Sequence, residues 1–249
     1  MCSSDLQAVF CTPQNQRGQL ERFDLRLLAC KALRKSVVLP ALTRSRAKCI
    51  QFMFNTFEPE RLGEAVGAGR CAFGMPFVQA TLDENGRLSA VIGAGGQKSL
   101  MDQPRWVEVF AAAGLPAALE PDMPLWLRCH APLCVAFESV SVAGVRRGGG
   151  AAWREAMVIA RGVRESFTLI QRLGFRIYPQ GKSRLSRSPV WVVAALLWVM
   201  SRLPAFRDLL ATGIAECRAL VDAMLAAAPR AHPAVAAGLI AAMKPAERS

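Results

Sequence analysis

Leu25-Arg26-Leu27-Leu28-Ala29-Cys30, followed by Lys31, and Cys49-Ile50-Gln51-Phe52-Met53-Phe54, followed by Asn55, decide how the front of the chain is read. Each is a short apolar run bounded by polar residues, the pattern of a strand buried in a sheet. Lys31 to Leu42, between them, carries helix formers. Pro59 then opens a stretch with Leu62, Ala65 and Val66 at helical spacing, and Cys71 to Val78 is strand-like again. Strand, helix, strand, helix, strand predicts right-handed crossovers and a parallel sheet. From Thr81 to Ile92 the residues alternate around Asp83-Glu84-Asn85-Gly86-Arg87, where Asn-Gly suits the tight turn of a β-hairpin. Trp106 to Ala113 reads as a short helix ended by Gly114.

Beyond Glu120 the period is helical throughout. Pro121 to Pro124 opens a long hydrophobic helix. Trp153, Met157, Ala160, Phe167 and Ile170 share one face of the next, with Gly174 placed to end it. Ser188 and Pro189 form an N-cap and first-turn pair for Val190 to Arg202, whose lack of a polar face predicts a central place in a bundle. Phe206, Leu209, Leu210, Cys217, Leu220, Val221 and Met224 mark one further helix ended by Pro229. Pro233 to Met243 predicts a last helix, and Lys244 to Ser249 a frayed tail.

The 249 residues suffice for two ordinary domains, and a mean hydropathy of +0.23 suits globular cores. The run Val190 to Met200 is too short for a bilayer core, which needs about 20 residues. Leu125 to Val145 is longer but holds Arg128, His130 and Glu138. The expectation is therefore no membrane span. The net charge of +12 is spread along the chain, without the interleaved aromatics or motifs of a nucleic-acid binder, so no nucleic-acid partner is expected. The eight cysteines form no C-x-x-C and the histidines are only two, so no metal site is expected, and reduced thiols in a cytoplasmic protein are. Met1 to Leu6, MCSSDL, has neither a basic start nor an apolar core and is not a signal peptide. Residues 1–22 are read as a non-native or irregular segment.

In an open parallel sheet, ligands bind beyond the carboxyl ends of the strands. Lys31 and Asn55 fall at such ends. A lysine there meets an anion as a point charge, or is a solvated helix-start residue; an asparagine bridges ribose or amide groups, or forms a turn. Gly93-Ala94-Gly95-Gly96-Gln97-Lys98-Ser99 misses both the dinucleotide and the phosphate-loop spacing and reads as a turn at the end of the hairpin. Glu138, set among Val135, Ala136, Phe137 and Val140, must be paired or protonated.

Asp24-Leu25-Arg26-Leu27-Leu28-Ala29-Cys30-Lys31-Ala32 resembles the strand-then-lysine signature of the ketopantoate reductase family, and Phe52-Met53-Phe54-Asn55 resembles that family's apolar strand ending in asparagine. Further likenesses follow in order: Arg61 to Gly67, the hairpin, Leu125-Trp126-Leu127-Arg128, and Ala211 to Glu216. The resemblance runs from Phe23 almost to the end and implies an N-terminally truncated member without its G-x-G-x-x-G segment. The expected fold is α/β plus all-α: a partial Rossmann-like parallel sheet with a β-hairpin over 23–120, then a helical C-terminal domain of the 6-phosphogluconate-dehydrogenase-like type over 121–249.

The implied activity is NADPH-dependent reduction of a 2-oxo acid, 2-dehydropantoate or a related compound, impaired by the missing segment. The alternative is an inactive NADP-binding or regulatory protein of the same fold. The resemblance puts Lys31 near the phosphate side of the cofactor and Asn55 near its nicotinamide ribose or the substrate. Arg128 stands where the family has its general-acid lysine. An arginine is a poor proton donor near neutral pH but can clamp a carboxylate or steady an alkoxide. His130, two residues on, is expected as the donor instead, although positions two apart on a helix do not face the same way. Glu216 and Ser201 match the residues that hold substrate hydroxyls. The family's helical domain commonly pairs with a second copy, and the apolar helix would suit a homodimer.

Overall fold

The computed structural model describes residues 25–28, 35–82, 87–211 and 213–246. The chain forms two compact units: the first runs to Asn55 and resumes over Pro59–Pro124, and the second takes Thr56–Glu58 and everything from Leu125.

The first unit is built on β1 (Leu25–Leu28), β2 (Cys49–Met53) and β3 (Cys71–Met75), with α1 (Lys35–Arg44) and α2 (Glu60–Val66) as the crossovers. β1 pairs parallel with β2 in the register Leu25 to Cys49, and β2 with β3 in the register Ile50 to Cys71. Every residue of β2 is buried, as its unbroken apolar run requires. The hairpin is β4 (Val78–Leu82) against β5 (Leu88–Ile92), antiparallel and in a sheet of its own. Two strands that the sequence reading does not resolve extend the main sheet to five, in the order β1-β2-β3-β6-β7: β6 (Ser99–Met101), antiparallel to β3, and β7 (Ala117–Leu119), parallel to β6. At three residues each they show no periodicity. α3 (Pro104–Ala112) lies between them and buries Trp106 and Phe110 against Cys49, Met53, Ala72 and Met101.

Side chains finish what the strands begin. Arg70 donates to the carbonyls of Leu42, Thr43, Ser45 and Ala47, closing the carboxyl end of α1 onto the entry to β2. Asp102, one residue past β6, donates its N–H to the Phe73 carbonyl at 3.0 Å and accepts the Phe73 N–H on Oδ2 at 2.6 Å, so its carboxylate replaces a rung of the ladder. Burial raises its pKa to about 6, against the opposing effect of the Phe73 hydrogen bond. Burial likewise raises the thiols of Cys49 and Cys71, the latter to about 12, so both are un-ionised near neutral pH.

The second unit is helical: α4 (Met123–Arg147), α5 (Trp153–Arg172), α6 (Gln180–Arg187), α7 (Val190–Met200), α8 (Pro204–Leu210), α9 (Ile214–Ala227) and α10 (Ala237–Ala241). α5 is its axis, burying Ile159, Ala160, Val163, Phe167 and Ile170. Gly162 lets the carboxyl end of the chain lie directly on it: a Cβ there would fall 2.1 Å from Met243 Cγ and 2.7 Å from the Leu239 carbonyl.

Several sequence expectations are corrected in this unit. Phe206 to Met224 is two helices, α8 and α9, because Glu138 Oε1 accepts the Gly213 N–H at 2.8 Å and begins a new helix there. The last helix spans five residues, Ala237–Ala241. Lys244 to Ala246 is not a frayed end: Lys244 pairs with Asp222 at 2.5 Å and Arg218 donates to the Pro245 carbonyl at 2.9 Å. Ser188 does not cap α7, since its hydroxyl turns back to the Arg184 carbonyl at 3.0 Å. Trp153 is exposed rather than on the packed face of α5, and α7 is not central, because one side of it faces solvent.

Two outcomes follow. Gly162→Ala is expected to destabilise the protein by about 2 kcal/mol through overpacking against Met243, read from denaturant unfolding. The folded Asp102 carboxyl has a pKa above its unfolded value of 3.8, so its contribution is fully present below pH 3.8 and is lost as pH rises through about 6. Asp102→Asn, which keeps the acceptor for Phe73, is therefore expected to raise stability at pH 7.5 by on the order of 1 kcal/mol and to gain little at pH 4. An equal effect at both pH values would show that the carboxylate is not under strain.

Candidate functional site

β1, β2 and β3 run parallel, so their carboxyl ends lie along one edge of the first unit. Asn55, two residues past β2, sits at that edge and is buried. Lys31 lies outside the described residues. A dinucleotide would need a glycine turn leading from a strand into a helix N-terminus. Among the described residues no such turn exists. Gly93 and Gly95 do adopt left-handed conformations, at φ of 62° and 68°, but their turn joins β5 to β6 and is closed on itself: a Cβ on Gly93 would meet the Gln97 carbonyl at 2.7 Å. The sheet edge and Asn55 suit a polar ligand, whereas the described residues do not fit a dinucleotide's pyrophosphate.

In the second unit, the first turns of α4 carry Arg128 and His130, the residues expected to act in the reaction. Arg128 is buried, with its guanidinium carbon 3.7 Å from the centre of the Phe175 ring and 6.0 Å from that of Phe57. Two ring faces thus take the place of water around a permanent cation. His130 lies on the other side of the helix, stacked on Trp126 with ring centres 4.4 Å apart. Burial, aided by the positive charge of Lys182, lowers its pKa from 6.5 to about 3. Near pH 7 it is therefore a neutral ring, which does not match the proton-donor role expected of it from its unperturbed titration.

Lys182, on α6, carries a signal that the sequence reading passes over. Its Nζ lies 3.8 Å from the Trp126 ring centre and donates to the Trp126 carbonyl at 3.0 Å. A lysine in a basic, solvent-like helix has no distinguishing pattern, so only the fold reveals that it meets the tryptophan. Cys129 anchors the facing loop, accepting the Tyr178 N–H at 3.4 Å.

A second group lies ten residues further along α4, about 15 Å of helical rise from Arg128. Glu138 caps α9 through Gly213, which answers how this buried carboxylate is held. Glu216, in the first turn of α9, is half-buried. The Cys217 thiol is driven well upward by its hydrogen bond with Cys134 and by burial, with the charges of Glu138 and Glu216 adding to the effect. Glu138, Glu216 and the two thiols are therefore neighbours. Ser201 stands apart from both groups. It is fully buried, accepts the Ala151 N–H at 3.0 Å and donates to the Trp198 carbonyl at 2.8 Å, pinning the start of α5 to the end of α7. Among the described residues no three metal-binding side chains cluster, and no helix is long and apolar enough to cross a membrane.

No protein-family model matches the sequence, and no curated protein matches it. Solved structures do match in fold. A ketopantoate reductase of the PanE/ApbA family from Ralstonia eutropha superposes with a TM-score of 0.62 at 16% identity, over 90% of this chain and 74% of that one. The dimeric ketopantoate reductase from Staphylococcus aureus gives 0.58 at 10% identity, over 90% and 76%. D-mandelate dehydrogenase in a ternary structure with NADH and anilino(oxo)acetate gives 0.54 at 13% identity, over 89% and 73%. The chain thus has the ketopantoate reductase fold: a Rossmann-like sheet unit followed by a helical one.

His130 provides the check on this geometry. Its folded pKa lies below its unfolded one, so the stability it contributes is present above pH 6.5 and is lost as pH falls from there towards 3. The imidazole resonances assigned by comparison with His130→Gln are expected to stay in the neutral form from pH 8 down to pH 5. A midpoint between pH 6 and 7 would return His130 to the role of proton donor.

Proposed function

We propose that this chain is a reductase of small 2-oxo acids, of the ketopantoate reductase type, working with a nicotinamide dinucleotide. The observation that carries the reading is Arg128: a buried cation held between two rings, near the start of the long helix α4, at the position where the family resemblance calls for a functional lysine. NADPH is the cofactor implied by that resemblance, and the neighbours of like fold are reductases and a dehydrogenase acting with NADH. Lys31 and Asn55 are the proposed cofactor-side residues.

In this proposal Arg128 holds the substrate's carboxylate or the oxygen that becomes the hydroxyl. Its planar fork gives two parallel hydrogen bonds, and its charge does not depend on pH. Glu216 is the proposed acceptor for a substrate hydroxyl, whereas the Ser201 hydroxyl is taken up by the Ala151 N–H and the Trp198 carbonyl. With Arg128 permanently charged and His130 neutral, neither supplies a proton readily at pH 7, so the proton is taken from Lys182 or from water.

The same observation favours a second reading, an inactive member that binds small anionic acids. The two are separated by one series of measurements. Oxidation of NADPH or NADH is followed with 2-dehydropantoate and a panel of other 2-oxo acids, alongside calorimetric binding of the acids alone. Turnover is expected to be impaired, since the described residues offer no glycine turn for the pyrophosphate, and Arg128→Ala is expected to lower the remaining kcat/KM at least about a hundredfold, as loss of a charge-stabilising donor does. Arg128→Lys is expected to restore part of the rate and to add an alkaline limb to its pH profile, because a lysine in that place titrates. Binding without turnover would establish the second reading, and neither binding nor turnover would overturn both.

A further inference from the structure

We propose that Cys134 and Cys217 are an oxidisable pair, closed to a disulfide by a hydroperoxide and reopened by a small thiol, that ties α9 to α4; the inference stands whether or not the reductase reading holds. Both are free thiols in this structure. The fold brings them together, since 83 residues separate them in the chain. Glu138 Oε1 accepts the Gly213 N–H at 2.8 Å, where α9 begins. Cys134 stands four residues before Glu138, and Cys217 four residues after Gly213. Four residues are close to one helical turn, so each cysteine shares a face with the member of that bond on its own helix. α4 and α9 therefore run antiparallel at this contact, with the cysteines as its next rung. The Cys217 Sγ fills that rung: it donates to the Cys134 carbonyl at 3.8 Å and is hydrogen-bonded to the Cys134 thiol. Closure asks for side-chain rotation and a small approach of the helices, because the two sulfurs already touch.

Among the described residues no other cysteine pair is placed in this way. Cys129 is engaged by the loop after α5, donating to the Arg176 carbonyl at 3.7 Å and accepting the Tyr178 N–H at 3.4 Å. Cys49 and Cys71 lie on adjacent strands, but Cys71 is in register with Ile50, so the two thiols point to opposite faces of the sheet. Within the pair the roles are unequal. Cys134 is half-buried and Cys217 is buried, so a small oxidant reaches Cys134 first. The hydrogen bond with Cys134, and burial, hold Cys217 un-ionised until then. Hydrogen peroxide gives one oxygen to the Cys134 sulfur, forming a sulfenic acid and releasing water. The Cys217 sulfur then attacks the Cys134 sulfur. The S–O bond breaks, and the hydroxyl leaves with the Cys217 proton as a second water. One peroxide is thus reduced to two waters while two thiols become one disulfide. Two molecules of a small thiol reverse the change by exchange, ending as their own disulfide. The bond would fix to α4 the first turn of α9, which carries Glu216, and close the loop of 83 residues between the helices.

The test treats the whole chain with hydrogen peroxide at neutral pH, alkylates the remaining thiols and maps the digested peptides by mass spectrometry. A Cys134 to Cys217 cross-link within one chain is expected, lost again with dithiothreitol. The oxidised protein is expected to melt at least about 5 °C above the reduced one. Cys134→Ala, a change at the half-buried position, is expected to abolish both the cross-link and that rise and to keep the far-ultraviolet circular dichroism of the folded chain. The peptide map of the wild-type chain decides by itself should the variant not fold. Cys134 carried on to sulfinic acid beside a Cys217 that still alkylates would overturn the proposal, as would either cysteine paired with a different one, or both left reduced while other cysteines react. A cross-link without a rise in melting temperature would overturn the tie between the helices.

Discussion

A permanent charge buried in the first turns of α4 sets the terms for the helical unit. Removing an ion from water costs several kcal/mol even after the protein relaxes, and a guanidinium cannot escape the cost by losing its proton. Arg128 meets it with ring faces, Phe175 at 3.7 Å and Phe57 at 6.0 Å. Phe57 comes from a three-residue segment, Thr56–Glu58, that joins the helical unit although the chain on both sides belongs to the sheet. Glu58 of that segment pairs with Arg230, and Phe57 is part of the helical core. The cation and the detour of the chain that covers it are therefore one feature of the fold.

This arrangement also limits the chemistry. A lysine at position 128 could hold charge and release a proton, with its pKa adjustable by burial; an arginine can only hold charge. The histidine two residues on does not compensate, because stacking on Trp126 in a dry environment beside Lys182 keeps its ring neutral. Trp126 thus carries His130 on one contact and the Lys182 ammonium on another, which couples α6 to the start of α4. In the proposed reduction, Arg128 supplies the charge that would bind and orient an anion. In that proposal, proton delivery would fall to Lys182 or solvent.

The sequence made the sheet unit legible where burial was two-sided and left it illegible where elements were short. Cys49 to Met53 is apolar because both faces of the sheet are covered, so the strand could be placed within a residue. β6 and β7 are three residues long, and one of the bonds that hold this region comes from the Asp102 side chain, which no periodicity announces. In the helical unit the break between α8 and α9 is invisible to periodicity because it is made by a tertiary contact, Glu138 with Gly213, across a gap of 75 residues. Of the candidate site, Arg128 and Glu216 could be named from type and position, but the rings that hold Arg128 and the Glu138 carboxylate near Glu216 could not, because both come from tertiary contacts. Ser201 matched by position alone, and its two backbone hydrogen bonds show how little position says about what a hydroxyl touches.

The misplacement of α7 has a different origin. A helix apolar on all sides predicts that all of its sides are buried; it does not state how many of them the chain covers. Reading Val190 to Met200 as the middle of a bundle assumes that one chain supplies every neighbour. In the folded chain α5 covers one side, through Val193, Ala194 and Leu197, and Trp191, Leu196 and Val199 are left to water. A buried and an exposed apolar residue are alike in composition, and only the exposed fraction in the folded chain separates them. The same logic explains why Trp153, placed by its spacing on the packed face of α5, is exposed beside Trp198: hydrophobic periodicity locates the apolar surface of a helix, and the fold decides how much of it is buried.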